Sequence, residues 1–312
     1  MEIERLPEEL LQVVISLTSP QDACRTVAVS RAFRAAADSD VVWSCFLPRD
    51  LPRFGRKELP RSPLSSKKGL FERLAARPAL LPGKLSMQLD RVTGAKCYTM
   101  SARALRVPSW GDTRRSSRWI HIEVDFIIGG KRFSEAAQFL GVRRLDISGK
   151  IRSKMLSENT AYAAYMVFKL GDRLHRLDFP FQVASVSVGG SQQSTRQVCL
   201  QACLNEEEDV VAGAPPYHIV PSIVGPSTVT PGEDVVLPRR RADGWMEVEL
   251  GQFYNEEGDD REVSISLTET TSNVDKSGLI ERNSLLTQLL YAVRDLILSD
   301  FLAWKLAGMN ET

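Results

Sequence analysis

The sequence has few of the side chains on which most catalytic and metal sites depend. It contains 3 histidines, His121, His175 and His218, and they form no pair at metal-ligand spacing. It also has no glycine-rich phosphate loop and no Gly-x-Ser-x-Gly turn around a nucleophile. Because an enzyme needs a positioned acid, base or nucleophile, we expect no catalytic residue, no metal site and no cofactor.

Cysteine is scarce as well. The 5 cysteines, at positions 24, 45, 97, 199 and 203, are odd in number and scattered, which suits a reducing compartment better than a disulfide framework. Cys199 and Cys203 stand four apart in an apparent strand, but no histidine pair accompanies them as further metal ligands. We interpret them as buried or unreactive thiols.

Neither a long apolar run nor an excess of one charge is present. The 40 basic and 39 acidic side chains leave a formal charge of +1, so no overall field attracts nucleic acid or an anionic membrane. No apolar run approaches the roughly 20 residues that span a bilayer. The first residues, Met1 to Arg5, lack the basic segment and apolar core of a signal peptide. We expect a protein of the cytoplasm and nucleus, with no nucleic-acid partner and no membrane span.

The chain of 312 residues, 43% hydrophobic and 25% charged, is long enough for two globular domains. In residues 1–47 the pattern predicts a series of short helices, each with a start signal. Pro7 opens the first helix, and Ser19, Ser30 and Ser39 stand in N-cap positions before the others. A bundle of this length has little core of its own. Its apolar faces therefore either bind a partner or fold as a cap onto the rest of the chain.

Four groups of residues in this region follow a characteristic order. They are Leu6-Pro7-x-x-Leu10-Leu11, Ser19-Pro20-x-Asp22-Ala23-Cys24, Val29-Ser30-x-x-Phe33-Arg34 and Val42-Trp43. With this order the region resembles an F-box of the plant kind, which implies binding to a Skp1-like adaptor and, through it, to a cullin. The residues that the resemblance implies for the adaptor surface are Leu6, Pro7, Leu10, Leu11, Ile15, Val27, Val29 and Trp43.

Residues 48–84 have the composition of a connector. Prolines at positions 48, 52, 60 and 63 discourage a continuous helix or strand. A short helix is predicted for residues 67–77, with Ser65 or Ser66 as its cap. Its basic residues either lie in solvent or contact an acidic partner, and solvent is the default interpretation.

In residues 85–280 the pattern changes to short runs of β-branched and aromatic residues between polar turns. Strands are predicted over 95–100, 119–124, 144–147, 161–170, 183–188, 198–204, 245–250 and 263–267. One helix interrupts them, with Ser134 as its cap, Glu135 in its first turn and Gly141 as its stop. The strands predict an antiparallel β-sandwich, and the whole chain is therefore expected to be an α+β protein.

Two charged runs stand near the end of this region. The acidic run 206–209 opens a segment rich in proline and glycine, which is predicted to be a loop as far as Pro238. The basic triplet Arg239-Arg240-Arg241 follows it directly. Phosphate binding and pairing with the acidic run are both open for these arginines.

Six stretches of the second region carry a further pattern. They are residues 89–98, 101–105, 110–113, 132–135, 165–170 and 243–251. With them the region resembles phloem protein 2 and the Nictaba-like plant lectins, which implies a jelly-roll-like lectin sandwich. Its combination with an F-box is a recurring plant arrangement and resembles the F-box proteins of the PP2-B type.

A lectin site needs an exposed tryptophan near polar groups, because sugar C–H faces stack on indole while carboxylates and amides order the hydroxyls. The candidate carbohydrate or substrate residues are Trp110, Asp112, Trp119, Glu247 and Glu249. Trp110 is the best stacking candidate, and the alternative is a core tryptophan at the end of the sandwich. Ser117 stands where the lectins place a second tryptophan, so we expect weak glycan binding or none.

Together the two resemblances imply a non-catalytic substrate receptor of an SCF-type (Skp1-cullin-F-box) ubiquitin ligase. The sandwich would select a protein or glycoprotein target, with N-glycans among its candidate ligands. The chain would then contribute proximity between the substrate and the ubiquitin carrier. The alternative is a carbohydrate-binding lectin that acts without a ligase, and binding to Skp1 distinguishes the two.

The end of the sequence departs from the family pattern. Such proteins normally finish with one more strand, but strand periodicity stops after residue 280. In residues 281–312, leucines and other apolar residues recur at helical spacing from Leu285 to Phe301, with Ser284 as cap, and predict an amphipathic helix. We expect this tail to dock on the sandwich, to bind a partner or to mark a splice product with an incomplete domain, and we favour the last.

Overall fold

The computed structural model describes residues 6–55, 58, 66–107, 117–122, 133–201, 234–258, 260–272 and 274–288. In this part of the chain a small group of helices precedes a mostly antiparallel β-sandwich, which confirms the predicted α+β class. The helices are α1 (Glu8–Ser16), α2 (Pro20–Thr26), α3 (Arg31–Asp38), α4 (Asp40–Phe46) and α5 (Lys67–Ala76). None of these described helices has the length and apolar character needed to cross a bilayer.

Serine caps start four of the five helices. Ser19, Ser30, Ser39 and Ser66 each accept a hydrogen bond from a backbone N–H in the first turn of the helix that follows. Such caps satisfy donors that have no partner inside the helix and typically contribute about 1 kcal/mol each. The helix starts predicted from these serines are confirmed.

The strands form two sheets. They are β1 (Ala79–Leu81), β2 (Leu85–Leu89), β3 (Lys96–Ser101), β4 (Ser117–His121), β5 (Glu135–Phe139), β6 (Leu145–Arg152), β7 (Thr160–His175), β8 (Gln182–Val188), β9 (Ser191–Val198), β10 (Val235–Val236), β11 (Arg239–Arg240), β12 (Met246–Asn255), β13 (Glu262–Glu269) and β14 (Ser277–Gln288). The first sheet has the order β1-β2-β3-β14-β7-β12-β11, and β4 joins it through β5, which pairs with β14. The second has the order β10-β9-β8-β13-β6, and only the short β10 pairs in parallel.

The segment predicted as a helix from Ser134 to Gly141 is a strand. Residues Glu135–Phe139 form β5, which pairs with β4 on one side and β14 on the other. Ala136, Ala137 and Phe139 are buried there. A serine followed by glutamate and alanines matches a helix start. However, pairing with β4 and β14 together with burial in the core outweighs this local helix propensity.

The prediction that the sandwich lacks a closing strand is also wrong. Residues Ser277–Gln288 form β14, which lies between β7 and β3 in the middle of the first sheet. The helix expected from Ser284 onward therefore does not start there, and residues 289–312 lie outside the described part. The apolar spacing from Leu285 fits a helix as well as a strand, but the backbone is paired with β3 as far as Leu286 and with β7 as far as Gln288.

Other strand boundaries differ from the sequence prediction. The strand expected at 198–204 runs instead over Ser191–Val198 and ends before the buried Cys199. The polar residues at its start hid it from a search for apolar runs. Two strands, β1 and β2, precede the first predicted strand at 95–100, and β1 lies within the range predicted as connector.

The helices pack directly against the sandwich. The Trp43 ring lies 5.1 Å from the Phe71 ring of α5, and α5 packs on β2. Behind them Lys96 of β3, 1% exposed, pairs with Asp50 at 2.5 Å. Gly94 lies so close to α4 that an added Cβ would stand 2.7 Å from the Phe46 carbonyl oxygen. The helices and the sandwich therefore share one continuous core.

Candidate functional site

The first candidate surface lies on the outer side of α1. Leu10, Val13, Val14 and Leu17 recur at the spacing of one helical face, and all four are exposed, Leu17 to 81%. A helix with apolar side chains on its solvent side is typical of a surface that another chain covers. We call these four residues the α1 stripe.

The residues that the sequence assigned to an adaptor surface divide into two groups. Leu11, Ile15 and Trp43 are each 1% exposed and belong to the core, so they offer almost no surface to another chain. The Trp43 indole N–H also donates to the Ala37 carbonyl oxygen at 2.6 Å, which orients it inward. The others are exposed or partly exposed, and they are Leu6, Pro7, Leu10, Val27 and Val29.

Sequence reasoning missed part of the exposed apolar surface. Val13, Leu17 and Val41 were not among the predicted contacts, although each is more than half exposed. The spacing of Leu10, Val13 and Leu17 is a signal that could have found two of them. It was obscured because Leu11 and Ile15 form a second apolar face on the same helix.

The second candidate surface surrounds Trp119 on β4. Its indole is 40% exposed, and the Arg103 guanidinium lies 3.8 Å from the ring centre. Glu135 holds that guanidinium by two hydrogen bonds of 3.1 and 2.7 Å. These bonds also lower the pKa of the Glu135 carboxyl. One face of this candidate carbohydrate residue is thus already occupied by a cation.

The remaining predicted carbohydrate residues do not join Trp119. Trp110 and Asp112 lie outside the described residues. Glu247 and Glu249 are on β12, and β12 is separated from β4 by β7, β14 and β5. Four strand spacings correspond to about 19 Å, which is too far for one sugar ring to bridge.

Both of these carboxylates are engaged in ion pairs. Glu247 accepts from Arg239 at 2.6 Å and from Arg241 at 2.5 Å. Glu249 accepts from Arg196 at 2.6 Å and also from Gln252 and Tyr165. Two arginines of the basic triplet therefore pair with Glu247, which the sequence analysis had not considered as their partner.

The structure also gathers charged residues around Trp245, which sequence reasoning did not select. Lys169 of β7 and Arg282 of β14 approach its ring to 4.8 and 5.0 Å. Asp243 lies beside it and accepts from both Arg241 and Arg282. No local sequence signal could have found the whole cluster, because its members come from three stretches that are distant in sequence: β7, β14 and the turn 241–245.

No group of three or more metal-binding side chains occurs in the described part of the chain. The thiols at Cys24 and Cys45 lie on the surface of the helices. Burial raises the pKa of Cys24, which keeps that thiol protonated.

These surfaces and this fold are those of a two-part binding protein, a small helical domain joined to a β-sandwich. Residues 3–49 match the family model described as F-box-like, and residues 95–282 match the one described as phloem protein 2. The chain therefore belongs to the F-box proteins that carry a phloem protein 2 domain. Such F-box proteins are adaptors rather than catalysts.

Named relatives from Arabidopsis thaliana are similar to this chain over most of their length. F-box protein PP2-B10 is 32% identical over 89% of this chain and 90% of its own. Putative F-box protein PP2-B2 is 35% identical over 89% and 80%. F-box protein SKIP3 is 31% identical over 89% and 85%. The similarity covers both the helical part and the sandwich.

Proposed function

We propose that this chain is the substrate-recognition subunit of an SCF-type ubiquitin ligase. Its F-box would bind a Skp1-type adaptor and through it a cullin, and its sandwich would select a protein or glycoprotein target. The observation that carries the proposal is the α1 stripe, an exposed apolar face on a helix of the F-box region. Similarity to relatives named as F-box proteins supports it.

The two faces of α1 give the helix two roles. Leu11 and Ile15 anchor it to the other helices, while Leu10 and Leu17 remain available on the opposite side. Burying a leucine side chain contributes about 1.5–3 kcal/mol, so a few such residues suffice for a stable complex. We therefore reassign the adaptor contacts to the α1 stripe from Leu11, Ile15 and Trp43. Those three residues pack in the core beneath this surface.

The shared core suits a receptor that must hold its target in place. Because α5 and Lys96 fix the helices to the sandwich, a substrate on the sandwich would stay at a set distance from the adaptor. Proximity of this kind is what a receptor contributes to ubiquitin transfer, since the thioester chemistry belongs to other subunits. We propose the cytoplasm and nucleus as its compartments.

The direct test is complex formation between the full chain and a Skp1-type adaptor on gel filtration. We expect a stoichiometric complex for the wild type and none for Leu10→Asp combined with Leu17→Asp, because two charges cannot be buried in an apolar contact without partners. Leu237→Asp, at an exposed leucine of the sandwich, is the matched control and should still bind. An unaffected double variant would show that the α1 stripe is not the interface.

The surroundings of Trp119 do not favour glycan recognition. Arg103 covers one face of Trp119, and Ser117 stands on the same side of β4 two residues before it, where an indole would extend the platform. We expect chitin oligomers and high-mannose glycans to bind weakly or not at all on a glycan array, and Ser117→Trp to increase the signal. A strong wild-type signal would favour the lectin that acts without a ligase.

A further inference from the structure

Four cations lie on one face of the first sheet, two in contact with the Trp245 ring and two paired with Glu247. They are Lys169, Arg239, Arg241 and Arg282, and we call this surface the Trp245 face. The strand register places them together. Arg239 lies opposite Glu247, which lies opposite Val167, and Lys169 is two residues further along β7. Side chains two apart on a strand share a face, as do directly paired residues.

The Trp245 face carries more positive than negative charge. Its four cations face two carboxylates, Asp243 and Glu247, while Glu249, the next carboxylate on this side of β12, is matched by Arg196. Among the described residues the face therefore has an excess of two positive charges. The whole chain has a formal charge of only +1. The excess therefore belongs to this surface and is not a general property of the protein.

Arg282 is the least satisfied of these cations. Its side chain is 18% exposed, and its nearest carboxylate oxygen, on Asp243, is 3.5 Å away and is shared with Arg241. Its Nε has no hydrogen-bond partner in the described structure. Burial lowers the pKa of Arg282, with Asp243 opposing this effect and the neighbouring Arg241 cation reinforcing it. A further anion at this position would relieve the imbalance.

We propose that the Trp245 face is a docking site for an extended acidic segment, rich in aspartate and glutamate, of the substrate protein. This inference rests on the proposed receptor function and specifies the chemistry of its substrate site. The unmatched charge determines the sign of the partner, and the buried Trp245 ring positions Lys169 and Arg282 through its cation–π contacts.

The spacing of the cations favours a peptide over a single compact anion. Arg239, Lys169 and Arg282 stand on β11, β7 and β14, and Trp245 directly precedes β12 between them. Three strand spacings give the face a width of about 14 Å. An extended chain places alternate side chains about 7 Å apart, so three alternate acids match this width. One phosphate or sulfate group would reach only part of it.

The test uses a fluorescein-labelled peptide with glutamate at alternate positions, titrated with the full chain and read by fluorescence anisotropy. The same peptide with glutamine in place of each glutamate measures the contribution of charge. We expect the acidic peptide to bind, the glutamine peptide not to bind, and affinity to fall as salt is raised. Combined Lys169→Gln and Arg239→Gln should weaken binding about fivefold or more.

The chain offers a matched control of equal charge. Arg240 lies opposite the core residue Met246 and so faces away from the Trp245 face, and Lys150 lies on the second sheet. Combined Arg240→Gln and Lys150→Gln should leave peptide affinity unchanged. If the control weakens peptide binding equally, the effect comes from net charge alone and the proposal is overturned. Binding of a sulfated oligosaccharide without binding of the acidic peptide would also overturn it.

Two further measurements separate possible failures. Lys169→Gln alone breaks no ion pair in the described structure, so weaker peptide binding by this variant with an unchanged melting temperature supports the site even if the Arg239 variant is unstable. Skp1-type adaptor binding is measured on the same variants and should persist. If the adaptor binds and the peptide does not, the docking site is wrong and the receptor function stands. If the peptide binds and the adaptor does not, the Trp245 face still binds acidic peptides and the receptor function is wrong.

Discussion

Glu281 is buried in the core of the sandwich without a partner. Glu281 lies on β14, opposite Ala137 and Phe168, and is 0% exposed. Neither of its carboxyl oxygens has a hydrogen bond in the described structure. Burial in these apolar surroundings raises the pKa of Glu281 to about 8, because water no longer stabilises the charged form. The side chain therefore carries a proton at neutral pH.

This residue should make stability depend on pH. Between the ordinary glutamate value of 4.5 and about 8, the folded state keeps a proton that the unfolded state has lost, so stability falls as pH rises. The slope is about 1.4 kcal/mol per pH unit. Urea unfolding of Glu281→Gln should show a flatter profile over this range, and Glu256→Gln, at an exposed carboxylate, should retain the wild-type slope. Parallel profiles for wild type and Glu281→Gln would contradict this burial argument.

Glu269 shows the opposite pKa shift to Glu281, because its buried carboxylate has partners. Its carboxylate pairs with the buried Lys276 and accepts from Thr271 and Ser272. Burial alone would raise its pKa, but these partners outweigh burial and lower the pKa to about 2. Its contribution to stability is present above pH 4.5 and is lost as pH falls toward 2.

At the scale of single elements, helices were easier to predict than strands. Each helix carries its own start signal, and the serines at 19, 30, 39 and 66 act within one turn. A strand depends on partners that are distant in sequence. For β5 and β14 the local pattern also fits a helix. They form strands because β5 pairs with β4, and β14 pairs with β3 and β7.

The same limit applies to the candidate surfaces. On α1 the sequence shows that both faces are apolar but cannot show which one faces the other helices, so Leu11 and Leu10 were assigned the same role. The carbohydrate residues were grouped by family pattern, although β4 and β12 lie at different positions in the sheet. The Trp245 face required the full strand order before it could be seen.

The position of β14 predicts the effect of shortening the chain. A chain that ends at Lys276 lacks the strand between β3 and β7, so it should expose two sheet edges and aggregate. A chain that ends at Gln288 retains β14 and is expected to melt cooperatively, like the full chain. Thermal melting and light scattering of the two compare them directly. Equal midpoints and equal solubility would mean that β14 is not needed to close the sheet.

At the scale of the whole molecule, the two parts behave as one body. The connector prolines suggested separate domains, but the Trp43–Phe71 contact, the Lys96–Asp50 pair and the close approach at Gly94 join them. The two-part organisation could be predicted from sequence because each part carries its own pattern. The packing between them could not, because it depends on single contacts far apart in the chain.

In the proposed complex the α1 stripe binds the adaptor and leaves the sandwich free for substrate. Amide hydrogen exchange of the full chain, alone and with a Skp1-type adaptor, tests both halves at once. We expect slower exchange in α1 (Glu8–Ser16) and unchanged exchange in β7 and β12 when the adaptor is bound. Protection confined to the sandwich strands, or none in α1, would contradict it.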